Sequence, residues 1–157
     1  MIHVDTDIQL RDSFSQFEID TERDIELTFS ADAGEYEVFV RIKNCGKLRI
    51  RTFAYADAQV KYLFWNDNEH MFEIDETHEV LRNANVEVAH CEVNPYPVKR
   101  NTYMALREPG AYGHLVSSSL VASDKNYTQN VVNFAQRTLA NIDNFAVVLK
   151  GGKLFID

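Results

Sequence analysis

Two cysteines and five histidines are the side chains of this chain best suited to hold a soft metal or act as nucleophiles. Cys91 follows His90 in V-E-V-A-H-C-E-V, residues 86–93. A thiolate beside an imidazole can ligate iron, or attack an electrophile once its pKa is lowered. Sulfur ligands of this kind suit iron–sulfur clusters. On a strand, however, neighbouring residues point to opposite faces. His90 therefore goes with Val86 and Val88, and Cys91 with Ala89 and Val93, so the two converge on one atom only through a bulge. The plain expectation for Cys91 is a small core residue. Cys45 stands in the turn Asn44-Cys45-Gly46, where an exposed thiol is expected. Neither cysteine lies in a C-x-x-C pair, so no zinc or redox motif is present.

The other chemistry-bearing residues are scattered. Glu69-His70, His78 and His114 form no H-x-x-x-H or H-x-H pair that would set two imidazoles on one face, and solvated surface is the expectation for them. Ser117-Ser118-Ser119 lacks the G-x-S-x-G elbow of a serine nucleophile. Gly151-Gly152 lacks the Lys-Ser/Thr ending of a phosphate loop and reads as a hairpin or corner turn.

Strands must position these residues. In Glu35 to Lys43, Tyr36, Val38, Val40 and Ile42 share one face. Lys47 to Ala54 and Gln59 to Trp65 alternate in the same way, with Leu48 and Ile50, then Val60, Tyr62 and Phe64, on the apolar side. Further runs cover 71–74, 86–93, 102–106, 115–122, 127–134, 145–149 and 153–156. Period-two alternation of β-branched and aromatic residues between turn residues is the signature of half-buried strands. Helical signals are few. Asp5 to Phe17 carries Ile8, Leu10, Phe14 and Phe17 and reads as a short helix or an irregular lead-in over 1–16. Asn126 to Ile142 has a partial helical pattern. The runs follow one another too closely for helices between them, which excludes a βαβ architecture. One all-β domain over 17–157 remains: a sandwich or jelly roll, a barrel, or a solenoid. L-R-N-A-N-V-E-V (81–88) and L-R-E-P-G-A-Y-G-H-L-V (106–116) share a layout of Leu, charge, small-residue corner and strand. That layout favours a β-helix, whose chain bends at such corners.

The bulk numbers fit one soluble domain. The 157 residues are 45% hydrophobic and 25% charged, with six Gly and three Pro, and that length allows a sizeable core. Met1 to Asp7 has neither the basic start nor the apolar stretch of a signal peptide, and no apolar run reaches the ~20 residues of a membrane helix. Cytoplasmic location, reduced thiols and no membrane insertion are the expectations. The net charge of -8 repels phosphate backbones, so nucleic acid is an unlikely partner class. The acidity serves either a basic partner or simple solubility.

The stretch V-V-N-F-A-Q-R-T-L-A-N-I-D-N-F-A-V-V-L-K-G-G-K-L-F-I-D (131–157) resembles the core of the SufB/SufD family, scaffold proteins of iron–sulfur cluster assembly. The family's polar turn has the form His-x-x-x-x-Thr-x-Ser. Asn133 stands at the His position, Thr138 at the Thr position and Ala140 at the Ser position, so two of the three are changed. L-R-E-P-G-A (106–111) looks like the family's Leu-x-x-Gly-Ala corner with one more residue before the Gly. The resemblance implies a right-handed parallel β-helix and a non-enzymatic scaffold role. It also implies partners, namely an ABC-type ATPase and SufB/SufD-like subunits, and the handling of a transient iron–sulfur cluster. The cluster or metal candidates are Cys91, His90 and Cys45. The family's later coils, its ATPase-docking helical segment and its late Cys and His have no counterpart in these residues. The open coil ends of such a fold predict a homo-oligomer joined edge to edge or end to end.

Two other readings compete. A β-sandwich could bind carbohydrate by stacking sugars on Tyr62, Trp65 and Tyr96. A hydrolase on a β-helix would need Asp143, Asp157 and Glu108 gathered in one groove.

Overall fold

A computed structural model describes residues 4–157. The described residues form thirteen strands and no helix: β1 (Val4–Gln9), β2 (Phe14–Asp20), β3 (Ile25–Ala31), β4 (Gly34–Asn44), β5 (Lys47–Ala54), β6 (Ala58–Asn66), β7 (Phe72–Val80), β8 (Asn85–Glu92), β9 (Val98–Leu106), β10 (Tyr112–Val121), β11 (Asp124–Asn133), β12 (Leu139–Val148) and β13 (Lys153–Ile156). Odd-numbered strands form one sheet in the order β1-β3-β5-β7-β9-β11-β13, and even-numbered strands form the other, β12-β10-β8-β6-β4-β2. Neighbours in both sheets are parallel. The chain therefore winds from sheet to sheet as a β-solenoid of about six turns. Parallel pairing throughout rules out the sandwich and jelly roll, which are antiparallel. Of the residues read as a helix or lead-in, 1–3 lie outside the described residues, 4–9 form β1 and 14–16 open β2, and the helical pattern over 126–142 is strand and corner.

Alternation decides which side chains enter the space between the sheets. The inner row of β4 holds Val38, Val40 and Ile42, that of β6 Val60, Tyr62 and Phe64, and that of β5 Leu48 and Ile50, all buried. Each such side chain contributes about 1.5–3 kcal/mol by leaving water. The outer face of the odd sheet is a ladder of opposite charges. Lys47 meets Glu73 at 2.9 Å, Arg51 meets Glu26 at 3.2 Å and Arg107 meets Glu79 at 2.5 Å. Exposed pairs of this kind add little stability, but like charges brought opposite by a register slip would be penalised.

Turns of one design set the coil. Ala58, Ala84 and Ala111 donate their N–H to the carbonyls of Tyr55, Leu81 and Glu108 at 3.0, 3.1 and 3.2 Å. These three alanines are buried, forming a column where only a small side chain fits. The residue before each alanine takes positive φ: Asp57 at 66°, Asn83 at 52° and Gly110 at 82°. Asp, Asn and Gly tolerate that conformation best. The two corner phrases read from the sequence thus lie on successive coils.

The coils also widen along the chain. Stacked partners are 23 residues apart at Asp24 and Lys47 and 26 apart at Lys47 and Glu73. The step is longer again where Tyr127 stacks on Ile156. In the even sheet, the seven-residue β2 at one end contrasts with the ten-residue β12 at the other.

Candidate functional site

The sequence candidates separate on the solenoid. His90 and Cys91 do point to opposite faces, but with the roles reversed for the cysteine. His90 is buried in the inner row, whereas Cys91 faces outward and is half-buried. Val86 and Val88 carry more apolar volume than Ala89, so their row, with His90 in it, turns inward. Cys45 is fully buried, not exposed, because the next coil covers its corner. Its N–H is bonded to Asn68 Oδ1 at 3.1 Å. Burial, helped by the nearby Asp24 carboxylate, pushes the Cys45 thiol up to about 11. Burial, with Glu92 and Asp67 close by, also raises the Cys91 thiol.

The remaining candidates are dispersed. His78 is wholly buried, contrary to the surface expectation. His70 is exposed and bonds Asn44 Oδ1 at 2.6 Å. His114 bonds Asp143 Oδ2 at 2.8 Å on the outer face of the even sheet. Ser117 and Ser119 point inward and Ser118 outward. Asn133 ends β11 in an exposed position, Thr138 Oγ1 donates to the carbonyl of Ala135 at 3.2 Å, and Ala140 packs against the core. These three make a corner and do not face a common point. Tyr62 is buried and Trp65 donates to Asp67 Oδ1 at 2.7 Å, so with Tyr96 they form no stacking platform. Glu108 pairs with Arg82 and Asp143 with His114, so the proposed carboxylate groove is not assembled.

A polar row in the interior is the feature that the sequence reading missed. In the odd sheet, one inner column runs Leu27, Ile50, Glu76, Thr102, Gln129, and its neighbour runs Ile25, Leu48, Ile74, Arg100, Tyr127, Ile156. Both change from aliphatic to polar in the middle coils. Glu76 Oε2 accepts from Thr102 Oγ1 at 2.7 Å and lies 2.9 Å from His90 Nε2, while the His78 Nε2 is 3.8 Å from its other oxygen. His78 Nδ1 meets Thr52 Oγ1 at 3.0 Å, which in turn meets Tyr62 OH at 2.9 Å. Deeper along the axis, Glu92 accepts from Asn66 at 2.7 Å and faces Arg100 at 3.4 Å. Arg100 also donates to Ser117 and lies over the Tyr127 ring, 3.8 Å from its centroid. Lys125 donates to the carbonyls of Glu92 and Asn94 at 2.6 and 3.0 Å.

The row balances its charges, since Glu76 and Glu92 are matched by Arg100 and Lys125, all of them buried. Burial opposes ionisation of Glu76, but the charge and hydrogen bonds of His90 and His78 outweigh it and hold the carboxyl well below its usual range. Burial, reinforced by Arg100, lowers the His90 imidazole against the pull of Glu76. Burial likewise lowers the Lys125 amine. Among the described residues, no three His, Cys, Asp or Glu side chains are placed to share a metal ion. The row is sealed from solvent and so acts on the stability of the stack.

Many large apolar side chains are exposed in the last described strands and their corners. Leu139, Ile142, Phe145, Val147, Val148, Leu149, Phe155 and Ile156 are all exposed there. No coil covers β12 and β13, the last strands of their sheets. Their outer edges leave backbone N–H and C=O groups unpaired, as edge strands do. Among the described residues, no helix is long and apolar enough to cross a membrane. The chain matches no family model, no curated protein and no solved structure.

Proposed function

We propose that the chain is a cytoplasmic, non-enzymatic scaffold or interaction domain of the SufB/SufD kind. The parallel solenoid carries this reading, because it is the architecture that the resemblance over 106–157 implies.

The test is to mix the purified chain with a SufB-type subunit and its ABC-type ATPase and to weigh the mixture by size exclusion with light scattering. A complex containing all three is expected, and separate elution of the chain overturns the reading. Cluster handling by this chain's own thiols is a separate question. Cys45 is fully buried and Cys91 is half-buried on the outer face, so the two thiols do not present a shared, accessible site. Anaerobic reconstitution with iron and sulfide is therefore expected to leave the isolated chain colourless. A charge-transfer band that disappears in Cys91→Ser would instead make Cys91 a ligand.

A further inference from the structure

We propose that the outer face of the even sheet is covered by the same face of a second copy, related by a two-fold axis that lies between β6 and β8 and runs along the strands. Face and partner stand independently of the scaffold reading above, and no residue of the last coil is needed for them. Isologous contacts of this kind close at the dimer.

Charge fixes the order of the strands. One outer column of the even sheet runs Glu37, Lys61, Glu87, His114 across β4, β6, β8 and β10. The two-fold reverses that order. Lys61 of each copy then comes opposite Glu87 of the other, and Glu37 comes opposite His114. Lys61 is exposed, and among the described residues neither it nor Glu37 makes an ion pair within the chain. The odd sheet differs, because its outer charges are already paired: Lys47 with Glu73 and Asp75, Arg51 with Glu26 and Arg107 with Glu79.

Side-chain size fixes the axis. The adjoining outer column runs Phe39, Leu63, Ala89, Val116. It is an apolar stripe in which Leu63 keeps 39% of its surface exposed. In reversed order Leu63 falls on Ala89 and Phe39 on Val116, large on small. In the next column Trp65, which is paired in register with Cys91 of its own chain, falls on Cys91 of the other copy. A two-fold along the solenoid would instead set Phe39 on Phe39 and Leu63 on Leu63, and Ala89 on Ala89 would leave a gap. Facing sheets align their strands within about 30°, so the pairs on β6 and β8, nearest the axis, keep this match. As a flat projection, β4, β6, β8 and β10 present on the order of 500 Å² per copy at the usual strand spacing. The pair thus reaches about 1,000 Å², the size a specific contact needs.

Light scattering on the 157-residue chain over a concentration series tests the arrangement. A mass twice that of the 18.1 kDa chain is expected. Lys61→Glu sets a carboxylate against Glu87 of the other copy, and Glu87→Lys sets an ammonium group against its Lys61. Each is expected to raise the dimer dissociation constant by about 100-fold or more. Mixed one to one, the two variants should dimerise again, since both contacts then join opposite charges. Mixing leaves the neighbours within each chain unchanged, so the rescue reads contact between copies. Leu63→Glu, whose column neighbours Phe39 and Ala89 are uncharged, should also give monomers and reads the same face if a charge reversal weakens the fold. Lys99→Glu, on the outer face of the odd sheet, should leave the dimer intact. A monomeric wild type, a mass that grows without limit, single variants that stay dimeric, or a mixture that stays monomeric would each overturn the inference. A monomer that still enters the complex with the SufB-type subunit sinks only this inference. A dimer that joins no such complex sinks only the scaffold reading.

Discussion

Arg100→Met is expected to lower the melting temperature by roughly 10–15 °C, the counterpart of about 3–5 kcal/mol for breaking a buried pair in a chain of this size. Arg100 has no exposed surface, and its guanidinium serves Glu92, Ser117 and the Tyr127 ring together. Methionine fills similar space but leaves the Glu92 carboxylate inside the stack with Asn66 as its side-chain donor. Most of the loss is thus the cost of an uncompensated charge, which a second change should relieve. Adding Glu92→Gln removes that charge and keeps an acceptor for Asn66. Lys125, whose amine burial already lowers, can then shed its proton. The double variant is expected to be more stable than the sum of the singles by at least ~1 kcal/mol, the coupling that residues in one network show. Thermal melts of the four proteins close this cycle, and strict additivity would refute the pairing.

Acid is expected to unfold the chain in two overlapping stages set by His90 and Glu76. The folded His90 imidazole is depressed, mainly by burial. Below the ordinary imidazole value of about 6.5 the unfolded chain takes up a proton that the folded chain refuses, so stability falls as pH drops from there. The Glu76 carboxyl is also depressed when folded. Its stabilising contribution is complete above the ordinary carboxyl value of about 4.3 and is lost as pH falls from there toward the folded value. Both groups therefore act on the acid side. Melting temperatures between pH 8 and about pH 2 should hold steady above neutrality and drop below it, the second stage lying below the ordinary carboxyl value. His90→Gln should flatten the first stage, and Glu76→Gln should weaken the second. The slope with pH is the diagnostic, because either substitution also shifts the baseline. A flat profile in the wild type would mean that neither group titrates between the folded and unfolded states.

Strand runs and inner rows were legible because alternation reports them directly. Tyr36, Val38, Val40 and Ile42 share a face in the sequence, and all four face the core. The solenoid was legible in the corners, since Asn83-Ala84 and Gly110-Ala111 repeat one turn. The interior charges were harder to see. Phe72, Ile74 and Val80 have the same parity as Glu76 and His78, and Val98, Met104 and Leu106 the same as Arg100. That phase was in the sequence, but polar residues on an apolar face break the pattern used to read it. Cys45 was misread because a turn residue looks exposed until the next coil covers it. Such stacking between coils is a long-range contact, and local spacing does not encode it. Cys91 was misread because the row of Ala89 and Val93 was given to the interior, while the larger Val86 and Val88 occupy it.

The change of the inner columns from Ile50 to Glu76, and from Leu48 toward Arg100, gives the stack a seam. In a solenoid each coil touches only its neighbours, so cohesion is a sum of nearest-neighbour terms. Coils lined by Phe29, Val40 and Ile50 adhere by excluding water alone. At the seam, parting exposes ionic groups that water solvates well, which offsets much of the contact energy lost. A tapered rod built this way does not yield evenly under load. It parts across its hydrophilic middle, as wood splits along a grain.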